Sequence, residues 1–288
     1  MINKKYKDRL FCLLFGNEEY KDNILSLYNA LCNTSYTNTD DIQIYTIEDV
    51  IYIKMKNDVS ILLDSFLYLW EQQSTFNPNM PIRGLLYFGK MYDKYITENH
   101  LNIYGKALIK LPTPKYTVLY NGMDEQPAFM QLRLSDSFIN PDTSGDFEWT
   151  ANMVNLNDGK NDDLLDKCQP LKEYMILINE IRKNSVSMGF EDAVDTAVTD
   201  CIEHNILKSF LLKHRAEVLD VCITEYNEKS FVDGIREEGR KEGRKEGRKE
   251  GQNLLATVVL RLRNGETPEQ ILASGVDAKT IELAETIK

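Results

Sequence analysis

The stretch Lys56–Gln73 limits the chain's folding options more than any other. Two runs, Ser60–Leu63 and Leu67–Gln73, flank Asp64-Ser65, which predicts two extended segments joined by a tight turn. Side chains on a strand alternate, so Leu69, Glu71 and Gln73 share one face. Asp58 at the head of the first segment and Glu71 on the second are then carboxylates of neighbouring strands. Such a pair either repels or holds a hard cation such as Mg²⁺. Metal-dependent phosphodiester cleavage needs that arrangement, because the cation polarises a phosphoryl oxygen and acidifies a water. The plainer reading is a hairpin with a solvated Asp near its start. Two details weigh against it: Asp58 leads into a strongly apolar run, and Glu71 follows Leu-Tyr-Leu-Trp. A carboxylate there is costly to bury unless it is paired or coordinated.

The rest of the chain supplies layers for such a hairpin. Residues 6–33 have helical spacing, broken near Gly16. Ile42–Met55 predicts a strand or strand pair, Pro81–Ile96 a helix and Lys115–Tyr120 another strand. Ser135–Asp163, rich in Asn, Asp and Gly, is expected to be a loop-heavy connector, and Leu164 to about Val232 a helical layer. Gly239–Gly251 repeats Gly-Arg-Lys-Glu three times before a final Gly. With no apolar face, and with each Gly costing a helix about 1 kcal/mol relative to Ala, it predicts a solvated spacer. Beyond it, Thr267-Pro268-Glu269-Gln270 is a helix start with Thr as N-cap, Gly275 ends that helix, and Asp277 caps the last one. The expected divisions are a main domain over 1–232 (core 6–125, helical layer 164–232), a spacer over 233–252 and a small helical tail over 253–288.

Composition narrows the function. No segment reaches the roughly 18 uninterrupted apolar residues of a membrane span, and the N-terminus lacks an apolar signal core, so a cytoplasmic protein is expected. Five cysteines without Cys-x2-Cys spacing predict buried free thiols and no zinc site. The net charge of −11 opposes simple DNA binding, but it is unevenly spread. Residues 1–125 carry −2, residues 126–230 carry −9 and residues 231–288 carry zero, so a DNA contact should fall on the first.

Several blocks together resemble one family. They include Asp8-Arg9-Leu10-Phe11; Gln73-Ser74-Thr75-Phe76 through Met80-Pro81; Arg83-Gly84-Leu85-Leu86-Tyr87-Phe88; Leu111-Pro112-Thr113-Pro114-Lys115-Tyr116; Tyr120-Asn121-Gly122; Leu132-Arg133-Leu134-Ser135-Asp136; and Arg215-Ala216-Glu217-Val218. With the hairpin they resemble the recombination-promoting nuclease and transposase (YhgA-like) family of the PD-(D/E)XK nuclease superfamily, over about residues 6–230. The resemblance implies an α/β fold: a restriction-endonuclease-like mixed sheet flanked by helices, with an added helical layer and a small C-terminal helical tail. It implies that Asp58 and Glu71 bind Mg²⁺ (or Mn²⁺), that Asp8 supports the metal shell, and that Gln73 stands where many members have lysine. Glutamine donates only a neutral hydrogen bond, so the metal carries more of the charge neutralisation.

Arg83 and Tyr87, at i and i+4, share a helix face. Either they contact the DNA backbone, or Arg83 pairs with a carboxylate at the core edge while Tyr87 packs. The leading expectation is a Mg²⁺-dependent DNA endonuclease with Asp58, Glu71 and Gln73 as catalytic residues. The rival is a non-catalytic binding module of the same fold. The tail is expected to dock or self-associate, giving a homo-oligomer.

Overall fold

The structure, a computed structural model, describes residues 6–45, 59–142, 144–222 and 254–287. Asp58, the part of the Ile42–Met55 segment after residue 45, and the Gly-Arg-Lys-Glu repeat lie outside the described residues. The chain divides into two compact units, Met1–Tyr226 and Asn227–Lys288.

The first unit is built on β2 (Val59–Leu63) and β3 (Phe66–Gln73), an antiparallel hairpin with Val59 registered opposite Trp70. Asp64 and Ser65 turn it with φ of 50° and 63°, the left-handed pair that two-residue hairpins use to match strand twist. Strand β1 (Gln43–Ile44) pairs antiparallel with β2. The chain then crosses over through helix α3 (Met80–Glu98) to β4 (Thr113–Tyr120), which lies parallel to β3. Strand β6 (Thr150–Asn155) is parallel to β4, and β5 (Phe129–Arg133) closes the sheet antiparallel to β6, giving the order β1-β2-β3-β4-β6-β5. The fold is thus α/β with a six-stranded mixed sheet. Strands β5 and β6 extend the sheet past residue 125, where the expected core stopped, and β6 corrects the loop-heavy connector expected over Ser135–Asp163.

Strand β3 is covered on both faces, so its sequence is nearly continuously apolar. One face packs Leu67 and Leu69 against Tyr87, Phe88 and Met91 of α3 and Tyr116 and Val118 of β4. The other turns Tyr68 and Trp70 toward α1 (Tyr6–Phe15), α2 (Lys21–Cys32) and α5 (Gln169–Asn184), with Phe11, Leu27, Tyr174 and Ile178 at its centre. Each large side chain buried this way contributes about 1.5–3 kcal/mol. Helices α4 (Asp162–Lys167), α6 (Phe190–Glu203) and α7 (208–222) complete that second layer. The thiols correct another expectation: Cys168, Cys201 and Cys222 are buried, whereas Cys32 is exposed and Cys12 half-buried.

In the second unit, helices at 254–263, Pro268–Ala273 and Ala278–Ile287 bury Val258, Leu262, Ile271, Ile281 and Ala284 against one another. Thr267 and Gln270 form a reciprocal capping box, Gly275 takes φ of 93° beyond the helix end, and Asp277 accepts from the Thr280 backbone N–H at 3.0 Å.

Candidate functional site

Glu71 sits near the C-terminal end of β3, wholly buried on the α3 face. Both carboxylate oxygens are engaged. Tyr116 donates its hydroxyl to Oε2 at 2.9 Å, and the Arg83 guanidinium lies 3.4 Å from Oε1. Parallel register explains the first contact: Leu69 pairs with Tyr116 and Glu71 with Val118, so Tyr116 and Glu71 stand on one face, one pleat apart. Arg83 also approaches the Tyr87 hydroxyl at 3.3 Å and the Met80 sulfur at 3.7 Å, one helical turn on either side. Gly84 lets α3 come this close, since a Cβ there would lie 2.4 Å from the Tyr116 ring.

Burial pushes the Glu71 carboxyl above the usual carboxylate range, opposed first by the Arg83 charge and then by the Tyr116 hydrogen bond. The carboxylate in turn holds Arg83 firmly in its charged form against its own burial. Burial and the adjacent Glu71 charge raise the Tyr116 hydroxyl well above its ordinary value, so it stays a donor.

Among the residues expected from the sequence, Glu71, Arg83 and Tyr87 come together, with Arg83 paired to a core carboxylate. Gln73 follows on the same face of β3, half-buried and in register with Tyr120. Asp8 is placed elsewhere. It lies on α1 in the opposite layer, where its charge bears on the Tyr174 hydroxyl, because α1 covers the Tyr68–Trp70 face of the sheet. Among the described residues no group of three or more His, Cys, Asp or Glu side chains could hold a metal ion. Glu71 suits a hard cation in kind, offering anionic oxygens in a dry setting. Asp58, the second carboxylate expected from the sequence, immediately precedes β2 in the chain.

A second polar group occupies the other face of β3. Gln72, wholly buried, donates to Asn121 Oδ1 at 2.7 Å, and the nearly buried Lys7 ammonium approaches the same oxygen at 3.4 Å. Arg182 donates to the Asn121 backbone carbonyl, and Asn179 Oδ1 accepts from Arg182 at 3.1 Å. Burial lowers the Arg182 guanidinium from its usual value, opposed by the Tyr6, Tyr174 and Tyr120 hydroxyls.

No family model, curated protein or solved structure matches this chain.

Sequence reasoning overlooked Tyr116, Gly84 and the Gln72–Asn121 group. Tyr116 carried a signal, since an aromatic with a hydroxyl on a predicted strand needs a partner when buried. Gln72 carried one too, as a polar residue on the face it shares with Tyr68 and Trp70. Lys7 and Arg182 join that group across 114 and 61 residues from Asn121, a distance no local pattern spans.

Proposed function

We propose that the protein is a metal-dependent DNA endonuclease with a restriction-endonuclease-like fold, cleaving phosphodiester bonds at the Glu71 centre. The observation that carries this reading is a buried carboxylate on β3 that faces an arginine of the crossover helix. It stands in an element order of helix, three strands, helix and parallel strand, the order that the family resemblance implies.

Glu71 and Asp58 would hold a divalent cation such as Mg²⁺, which when bound polarises a phosphoryl oxygen and lowers the pKa of an attacking water. The chain's own residues do the rest. Tyr116 fixes the orientation of the Glu71 carboxylate through Oε2. Arg83, already charged and seated 3.4 Å from Oε1, can turn its second nitrogen to a phosphate oxygen. Gln73 donates a neutral hydrogen bond to the water or the phosphate. Tyr87 sets the Arg83 position from one turn further along α3.

One observation favours the second reading, a binding module without catalysis: Arg83 and Tyr116 already satisfy both Glu71 oxygens. The two readings separate when full-length protein is incubated with supercoiled plasmid and Mg²⁺. Nicking that disappears in Glu71→Gln and Asp58→Ala supports the endonuclease. Nicking at the same rate in both folded variants would refute it.

A further inference from the structure

The connection between α3 and β4 carries a surface that the Glu71 centre does not use. From Asn99 to Met123 the chain has no acidic residue, but it holds Lys106, Lys110 and Lys115 in a protein of net charge −11. Tyr104 is 93% exposed and Leu108 82%, with Ile103 and Leu111 also open to solvent. Lys106, Lys110 and Lys115 are exposed beside them. An apolar run displayed in this way is costly unless something covers it.

The loop is held at both ends, so the display is built into the fold. Leu101 N donates to the Ile96 carbonyl at 2.9 Å, and the Tyr92 hydroxyl donates to the Pro112 carbonyl at 2.8 Å. Between these anchors Asn102 makes a turn. Its Oδ1 accepts from Tyr104 N at 3.1 Å and its carbonyl from Gly105 N at 3.1 Å. That turn puts the Tyr104 ring at the tip with Lys106 two residues away.

We infer that residues 102–111 form a nucleic-acid contact in which Tyr104 stacks on or wedges against bases while Lys106 and Lys110 hold flanking phosphates. The polymer's identity rests on the endonuclease reading, but the contact itself rests on the loop. Aromatic and basic side chains interleaved on one finger are what base stacking and phosphate neutralisation need. A flat anionic membrane has the same charge but fits less well. It would face the acidic surroundings too, and charges within about 8 Å still act at physiological salt. Asp41 and Asp64 line the cleft at the loop's base beside Lys110, and Glu98 ends the helix that leads into it. The tip is therefore the part that meets the polyanion.

Register places the contact. The loop enters β4 at Thr113 opposite Phe66, and Glu71 pairs with Val118 five residues further on. At about 3.3 Å per residue the two lie roughly 17 Å apart along the strands. That separation equals about five base steps of a duplex.

The test uses full-length protein carrying Glu71→Gln, so that DNA is bound without being cut, and fluorescence anisotropy with a labelled duplex and the matching single strand. Tyr104→Ala should weaken binding by about 5- to 100-fold. Lys106→Glu should weaken it and reduce the slope of log affinity against log salt by about one. Both side chains are exposed, so an unchanged melting temperature confirms that the variants fold. Affinities and salt slopes equal to the parent would overturn the inference. So would loop variants that lose binding to mixed phosphatidylserine–phosphatidylcholine vesicles but keep DNA binding. Failure of the loop leaves Glu71-dependent nicking intact, whereas failure of the cleavage reading shows as nicking that survives Glu71→Gln in an otherwise native loop.

Discussion

Glu71 and Gln72 are neighbours in the chain and both are wholly buried, yet they meet burial in different ways. Glu71, on the α3 face, carries a formal charge and needs a counter-charge, which Arg83 provides, and an oriented donor, which Tyr116 provides. Gln72, on the α1–α5 face, is neutral and shares Asn121 with Lys7, while Arg182 takes the adjacent backbone carbonyl. An ion pair concentrates its energy in two groups, while an amide network spreads it over several. The charged face is thus the more fragile one, and a buried carboxylate with a perturbed titration beside a specific charge partner marks it as the candidate site.

The largest effect should come from Arg83→Ala, which leaves the Glu71 carboxylate buried without its counter-charge. Urea unfolding should show a loss of about 3–5 kcal/mol, with much of it recovered in the Glu71→Leu/Arg83→Met double variant. A loss under about 1 kcal/mol would mean that the carboxylate is more hydrated than its burial indicates. Gly84→Ala comes next, because its Cβ meets the Tyr116 ring at 2.4 Å and α3 must shift outward. It should cost about 1–3 kcal/mol.

On the opposite face, Asn121→Ala removes the acceptor that Gln72 and Lys7 share. It should cost about 1–3 kcal/mol and leave nicking unchanged, since nothing at Glu71 depends on it. Equal loss of nicking from Asn121→Ala and Glu71→Gln would break the comparison.

The smallest effect is in pH dependence. Burial raises the folded Glu71 carboxyl above its unfolded value. Its contribution is therefore greatest below the unfolded carboxyl pKa and is lost as pH rises through the folded one. Glu71→Gln, which is always neutral, should therefore gain stability relative to the native protein as pH rises through the window above the ordinary carboxyl pKa. A difference that is flat across that window would show that Arg83 cancels the burial effect.

Local chemistry made much of the fold legible. The hairpin, its Asp64-Ser65 turn, the crossover helix and the tail's capping box all follow from residues within a few positions of one another. Strands β5 and β6 did not, although Ala151, Met153 and Asn155 alternate into the core along β6. The Asn, Asp and Gly around them outweighed six residues of alternation. Part of the site was legible as well. Glu71 stood out because a carboxylate after Leu-Tyr-Leu-Trp demands a partner, and Arg83 and Tyr87 shared a face by helical spacing. The layer that Asp8 occupies was not legible, because only the three-dimensional stacking of α1 decides which face of β3 it sees.

The central claim is that the Glu71 carboxylate can release Arg83 and take a divalent cation. Calorimetric titration of the full-length protein with Mn²⁺ tests it most directly. A binding heat that vanishes in Glu71→Gln and grows in Arg83→Met is the predicted result. Absence of heat in the native protein and in Arg83→Met, or heat unchanged by Glu71→Gln, would contradict it.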